Sequence, residues 1–103
     1  MAQFDVYKLR PANKRTPFVI DVQSETLAPL ATRFVVPLRA HDRAKFKPIA
    51  RLNPLVSIEG TTYIAVFQEL AAVPLSILTE YVTSAARDRG ALVAAVDLVF
   101  TGI

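Results

Sequence analysis

The chain has 103 residues, 52% apolar and 20% charged, and no cysteine. That length suits one globular domain over residues 1–103 with a usable core, and it excludes a disulfide framework or a thiolate zinc site. Net charge is +3, split as +6 over residues 1–51 and −3 over residues 52–103, so the first half can attract an acidic protein segment or a nucleic acid, or simply form solvated loops.

No apolar run reaches the roughly eighteen residues a membrane span requires. Met1-Ala2-Gln3-Phe4-Asp5 has neither the basic nor the apolar region of a signal peptide, so a cytoplasmic protein is expected.

In chain order, Gln3 to Lys8 alternates and predicts a first strand, with Phe4 and Val6 on one face. Leu9 to Pro17 is a basic loop broken by Pro11, Asn13 and Pro17. Phe18 to Gln23 is a second strand, with Phe18, Ile20 and Val22 inward. Ser24 to Thr32 is a loop around Pro29. Arg33 to Leu38 is a third strand, in which Pro37 marks an edge, a bulge or an end, because it has no N–H for a ladder. Arg39 to Pro48 is a basic loop containing His41. Leu55–Glu59 and Thr62–Phe67 flank Gly60-Thr61 as a hairpin. Ala71 to Leu78 forms a short final strand.

A helix then runs from Ser84, as N-cap, to about Phe100. Leu92, Val93, Val96, Val99, Phe100 and Ile103 follow the spacing of one helical face. Gly90 inside it suggests close packing. Ala91, Ala95 and Leu98 widen the apolar stripe, enough for a second subunit as well as a core, although a mostly buried helix in a monomer fits equally. The fold class is mainly β: a curled antiparallel sheet or partial barrel with one C-terminal helix, about 84–100.

Catalytic signals are weak. His41 is a lone loop histidine, no serine lies in a nucleophile-elbow motif, and the carboxylates have no metal-ligand spacing. Gly60, Gly90 and Gly102 are isolated, so no phosphate-cradling loop is present. No cofactor is expected. Lys8, Arg10, Lys14, Arg15, Arg39, Arg43, Lys45, Lys47 and Arg51 are read as loop cations, and Tyr7 and Phe46 lie near some of them. That combination suits single-stranded RNA but matches no known module.

Five short strings occur together in order: Gln3-Phe4-Asp5-Val6-Tyr7, Asp21-Val22-Gln23-Ser24, Val36-Pro37-Leu38, Val73-Pro74 and Phe100-Thr101-Gly102-Ile103. In this the chain resembles the CcdB family over essentially its whole length. The resemblance implies an SH3-like β-barrel with a C-terminal helix, assembled as a homodimer. It implies a bacterial toxin that binds the A subunit of DNA gyrase and traps the enzyme on cleaved DNA, catalysing nothing itself. A CcdA-like antitoxin with an acidic, partly disordered segment would neutralise it. Such a toxin involves no membrane and no sequence-specific nucleic-acid binding of its own.

By position, the resemblance places gyrase contacts at Ser24, Thr26, Leu27, Asp97, Phe100, Thr101, Gly102 and Ile103. Ser24, Phe100, Gly102 and Ile103 match the family pattern. Thr26 and Leu27 stand where its best-known member has isoleucines, Asp97 where it has asparagine, and Thr101 where it has a tryptophan that packs on a gyrase arginine. The acidic antitoxin segment would meet Lys8, Arg10, Lys14, Arg15, Arg43 and Lys45. Two alternatives remain. One is a MazF-type endoribonuclease on the same barrel, for which Arg15, Arg33 and Ser24 could be proposed. The other is a weakened toxin that binds antitoxin alone.

Overall fold

Among the described residues there are seven strands and one α-helix: β1 (Asp5–Lys8), β2 (Phe18–Asp21), β3 (Thr32–Ala40), β4 (Leu55–Ile58), β5 (Thr61–Ala65), β6 (Ala71–Pro74), β7 (Glu80–Ser84) and α1 (Arg89–Thr101). The computed structural model describes residues 2–41 and 47–102. The sheet is antiparallel, in the order β4-β5-β3-β2-β1-β7, with β6 also paired to β3. It curls, which separates two cores. This is the mainly β half-barrel with a C-terminal helix that the alternating patterns predict.

The two cores follow from strand geometry, because successive side chains point to opposite faces. Val6, Ile20, Val36 and Leu38 enter the larger core with Phe4, Val56, Ile58 and Phe67, and Leu92 and Ala95 of α1 join them. Their neighbours Tyr7, Val19 and Val35 enter a smaller core closed by Leu78, with Leu9, Val73 and Ile77 packed against it. β2 is therefore buried along its whole length. The helix rests on the 3-10 turn Phe67–Glu69, whose Phe67 is fully buried.

Several local expectations shift. Pro37 lies inside a nine-residue strand, opposite Val19. It is tolerated because β3 changes partners there. Residues 32–35 pair with β6 and residues 38–40 with β5. The break falls where proline offers no donor, and the Pro37 carbonyl still accepts from Val66 N–H at 3.0 Å. The hairpin turn is Glu59-Gly60, with φ +52° and +82°, so Ile58 faces Thr61. Two left-handed residues suit the twist of a two-residue hairpin.

The segment 71–78 is not one strand. It becomes β6 and then a 3-10 turn, Leu75–Ile77. β7, a strand the sequence pattern did not predict, takes in Ser84, the expected N-cap, since pairing of residues 80–84 with β1 holds them extended. Ser84 Oγ accepts from Ala86 N–H at 3.1 Å, but the cap position of the 3-10 turn that follows, Ala86–Asp88, is Ala85, and the α-helix begins at Arg89. Gly90 has no packing role, because a Cβ there would meet nothing within 4 Å.

Candidate protein-binding surface

Two segments carry the expected gyrase contacts. The first follows β2. Ser24 leads a 3-10 turn, Glu25–Leu27, and its Oγ accepts from Thr26 N–H at 3.2 Å. Residues 24–30 are all exposed. Leu27 is 44% exposed and Leu30 50% exposed, and Phe34 on β3 is 47% exposed. Large apolar groups exposed to water are the kind of feature from which interaction surfaces are built.

The second segment is the end of α1. Asp97, Val99, Phe100, Thr101 and Gly102 are exposed there, Phe100 at 65%. Thr101 Oγ1 donates to the Asp97 carbonyl at 2.7 Å, so this hydroxyl turns back into the helix. Gly102 ends the helix at φ +77°, and its N–H donates to Leu98 O at 3.1 Å. A left-handed residue at this position is the usual helix stop, and glycine adopts it without strain. Ile103 lies outside the described residues.

Between β2 and β3 lies a buried polar network that pattern reading did not single out. Arg33 and Asp21 are both fully buried. Arg33 Nε and Nη2 donate to Asp21 Oδ2 at 2.9 and 2.6 Å. Asp21 Oδ1 accepts from Gln23 N–H at 3.0 Å. Gln23, 5% exposed, donates through Nε2 to Leu27 O at 3.0 Å and accepts at Oε1 from Phe34 N–H at 3.1 Å. Asp21-Val22-Gln23-Ser24 thus has a mechanical role: two buried polar side chains alternate with an apolar one and end in a cap. The available signal was an aspartate and a glutamine inside an otherwise apolar strand. Tyr7 shares this region. Burial, with Asp5 and Asp21 nearby, pushes its phenol up to about 12.

The cations do not gather as one loop surface. Lys8 lies on β1, paired with Glu80 at 3.2 Å. Arg39 lies on β3 and makes a two-pronged pair with Glu69 at 2.9 and 2.6 Å. That pair, with Arg15 close enough to contribute, holds the Glu69 carboxyl below its ordinary range. Arg10, Lys14 and Arg15 are exposed. Arg15 N–H donates to Asn13 Oδ1 at 2.9 Å. Arg43, Lys45 and Phe46 lie outside the described residues.

The grouping of Arg15, Arg33 and Ser24 for ribonuclease chemistry is not assembled. Arg33 is sealed against Asp21, and Ser24 Oγ is engaged as a cap. A catalytic arginine must touch the scissile phosphate, and a fully buried one does not. His41 lines an open depression with Gly60, Thr61 and Thr62. Among the described residues, no three His, Asp or Glu side chains converge as a metal site. Among the described residues, no helix is long and apolar enough to cross a membrane.

Apolar groups are thus displayed on a capped turn and at a capped helix end. Residues 3–102 match the family model described as CcdB protein, which takes in both segments apart from Ile103 and includes the buried network. The chain belongs to the CcdB family, whose members are the toxin halves of toxin–antitoxin pairs.

Proposed function

We propose that the protein is a cytoplasmic toxin, one domain over residues 1–103, that binds the A subunit of DNA gyrase and traps the gyrase–cleaved DNA complex. Ser24, Thr26, Leu27, Asp97, Phe100, Thr101, Gly102 and Ile103 form the binding surface. The observation that carries this reading is the exposure of Leu27 and Phe100, at 44% and 65%, on backbone that is locally capped. The protein poisons an enzyme and is not itself one. It acts as a homodimer, and the exposed Val99 and Phe100 of α1 support a second copy as one occupant of the helix end. An acidic, partly disordered antitoxin neutralises it, drawn by Arg10, Lys14 and Arg15, with Lys8, Arg43 and Lys45 contributing charge.

Induction in bacteria tests this. The expected result is growth arrest with covalent gyrase–DNA complexes, abolished by deletion of Ile103 or by Gly102→Glu. Normal growth at high soluble expression refutes it, as does fragmentation of purified RNA by the pure protein.

Thr101 favours one second reading, a weakened toxin that only binds antitoxin. Its side chain is small, and its hydroxyl is already committed to Asp97 O. Tight antitoxin binding without detectable gyrase binding selects that reading.

A further inference from the structure

The turn at Glu25–Leu27 buries none of its own side chains. Nothing apolar anchors it, so hydrogen bonds must set its orientation. Most of these are internal. Leu27 N–H donates to Ser24 O, and Ala28 N–H donates to Glu25 O, both at 3.0 Å. Such bonds shape a turn but do not aim it.

The Gln23 side chain ties the turn to β3, and a longer bond, from Gln3 N–H to Glu25 Oε1 at 3.4 Å, ties it to the N-terminal segment. One amide group spans Leu27 O on the turn and Phe34 N–H on β3, at 3.0 and 3.1 Å. Gln23 is itself held at its N–H by Asp21 Oδ1, while Asp21 is clamped through Oδ2 by the buried Arg33. From the other side, Gln3 Nε2 donates to Val22 O at 3.1 Å.

We propose that Gln23 is a positioning residue, aimed by the Arg33–Asp21 pair, that pre-orients the 24–28 turn so that Leu27 is presented to the partner protein. The gyrase part of this inference rests on the function proposed above; the orientation of the turn does not. A pre-ordered turn loses less conformational freedom on binding, so the benefit appears in affinity rather than in contacts made by Gln23 itself.

The test uses full-length Gln23→Met, which keeps the length and removes both side-chain bonds, beside Val56→Ala, a core truncation with no bond to the turn. Hydrogen exchange at the Thr26, Leu27 and Ala28 amides is read first. Exchange about tenfold faster in Gln23→Met, with Val56→Ala leaving these amides within about twofold of wild type, supports the proposal. Equal exchange in wild type and Gln23→Met overturns it, and so does equal acceleration in both variants.

Binding of a gyrase A fragment is read second. Dissociation about tenfold faster with an association rate within about threefold is expected, since interface changes act mainly on dissociation. Unchanged binding by Gln23→Met overturns the functional half. Wild type that fails to bind refutes the proposed function while the exchange arm still decides the positioning. If Gln23→Met does not fold, the wild-type side-chain amide decides: slowly exchanging Gln23 Nε2 protons with through-space contacts to Leu27 support the proposal, and rapidly exchanging ones without them overturn it.

Discussion

Removing one partner of the Arg33–Asp21 pair should cost more than almost any other single polar change in this chain. In Asp21→Asn the shape is kept and Oδ1 still accepts from Gln23 N–H, but the negative charge is gone. Arg33 is then a cation with no exposed side-chain surface. It has lost its carboxylate at 2.6 Å, and its Nη1 already has no partner among the described residues. Unpairing a buried charge costs about 3–5 kcal/mol. Folding of a whole domain is worth about 5–15 kcal/mol, so the change consumes a large share. Each kcal/mol moves the melting temperature of a chain this size by about 4–8 °C, which predicts a drop of at least about 12 °C. Arg33→Met should cost a similar amount by stranding Asp21. The double variant Asp21→Asn, Arg33→Met removes both charges and keeps the acceptor for Gln23, so it should lie within about 1–2 kcal/mol of wild type. Urea unfolding at one fixed protein concentration measures all four forms, with unchanged m-values confirming that stability alone has moved. A loss under about 1 kcal/mol for Asp21→Asn, or a double variant as unstable as the two single changes added, refutes the reasoning.

Other outcomes follow from single groups. The Tyr7 phenol is raised from 10.0 to about 12, so the unfolded chain ionises first as pH rises. Stability on this account is intact below pH 10 and falls between pH 10 and about 12; phenolate absorbance should show Tyr7 still protonated above pH 10, and ionisation at its ordinary pH refutes this. Gly102→Ala places a side chain at φ +77° with open space around it, so the cost is backbone strain of about 1 kcal/mol rather than a clash. Amide exchange should show a frayed last turn of α1, with the melting temperature lowered by no more than about 4–8 °C. Thr101→Trp should strengthen gyrase binding by about ten- to a hundredfold in titration calorimetry, the value of a cation–π or buried aromatic anchor. No gain there places the helix end outside the interface.

Fold class was readable because its signals were local and periodic. Phe18-Val19-Ile20 and Val35-Val36 alternate between two cores, and a sheet covered on both faces leaves that apolar signature. What misled was context. Pro37 is read from its type as an edge, a bulge or an end, and nothing in its neighbourhood tells that β3 exchanges β6 for β5 at that residue. Ser84 is a good N-cap by type, yet it ends β7, because residues 80–84 are committed to β1, and the helix begins five residues later at Arg89. The candidate site was named from short motifs, and the buried network beneath it was not legible in them. Leu27 and Phe100 could be placed from short motifs, whereas the link from Arg33 through Asp21 to Gln23 spans 12 residues and exists only when β2 and β3 pair.

That link also accounts for an otherwise costly choice. A buried ion pair between neighbouring strands rarely stabilises a core more than well-packed hydrophobic residues would. Here β2 is buried throughout, and Val19 and Val35 show that apolar residues fit the same face. Apolar replacements for Asp21 and Arg33 would keep the sheet but leave Gln23 N–H without its buried acceptor and the exposed turn without a director. α1 meets the same demand differently: Leu92 and Ala95 fix the helix in the larger core, and the left-handed Gly102 stops it cleanly. At both places the exposed apolar groups are few and the machinery that aims them is buried. A protein that acts by fitting another protein's surface needs that division. Its contacts yield affinity only to the extent that their geometry exists before the partner arrives.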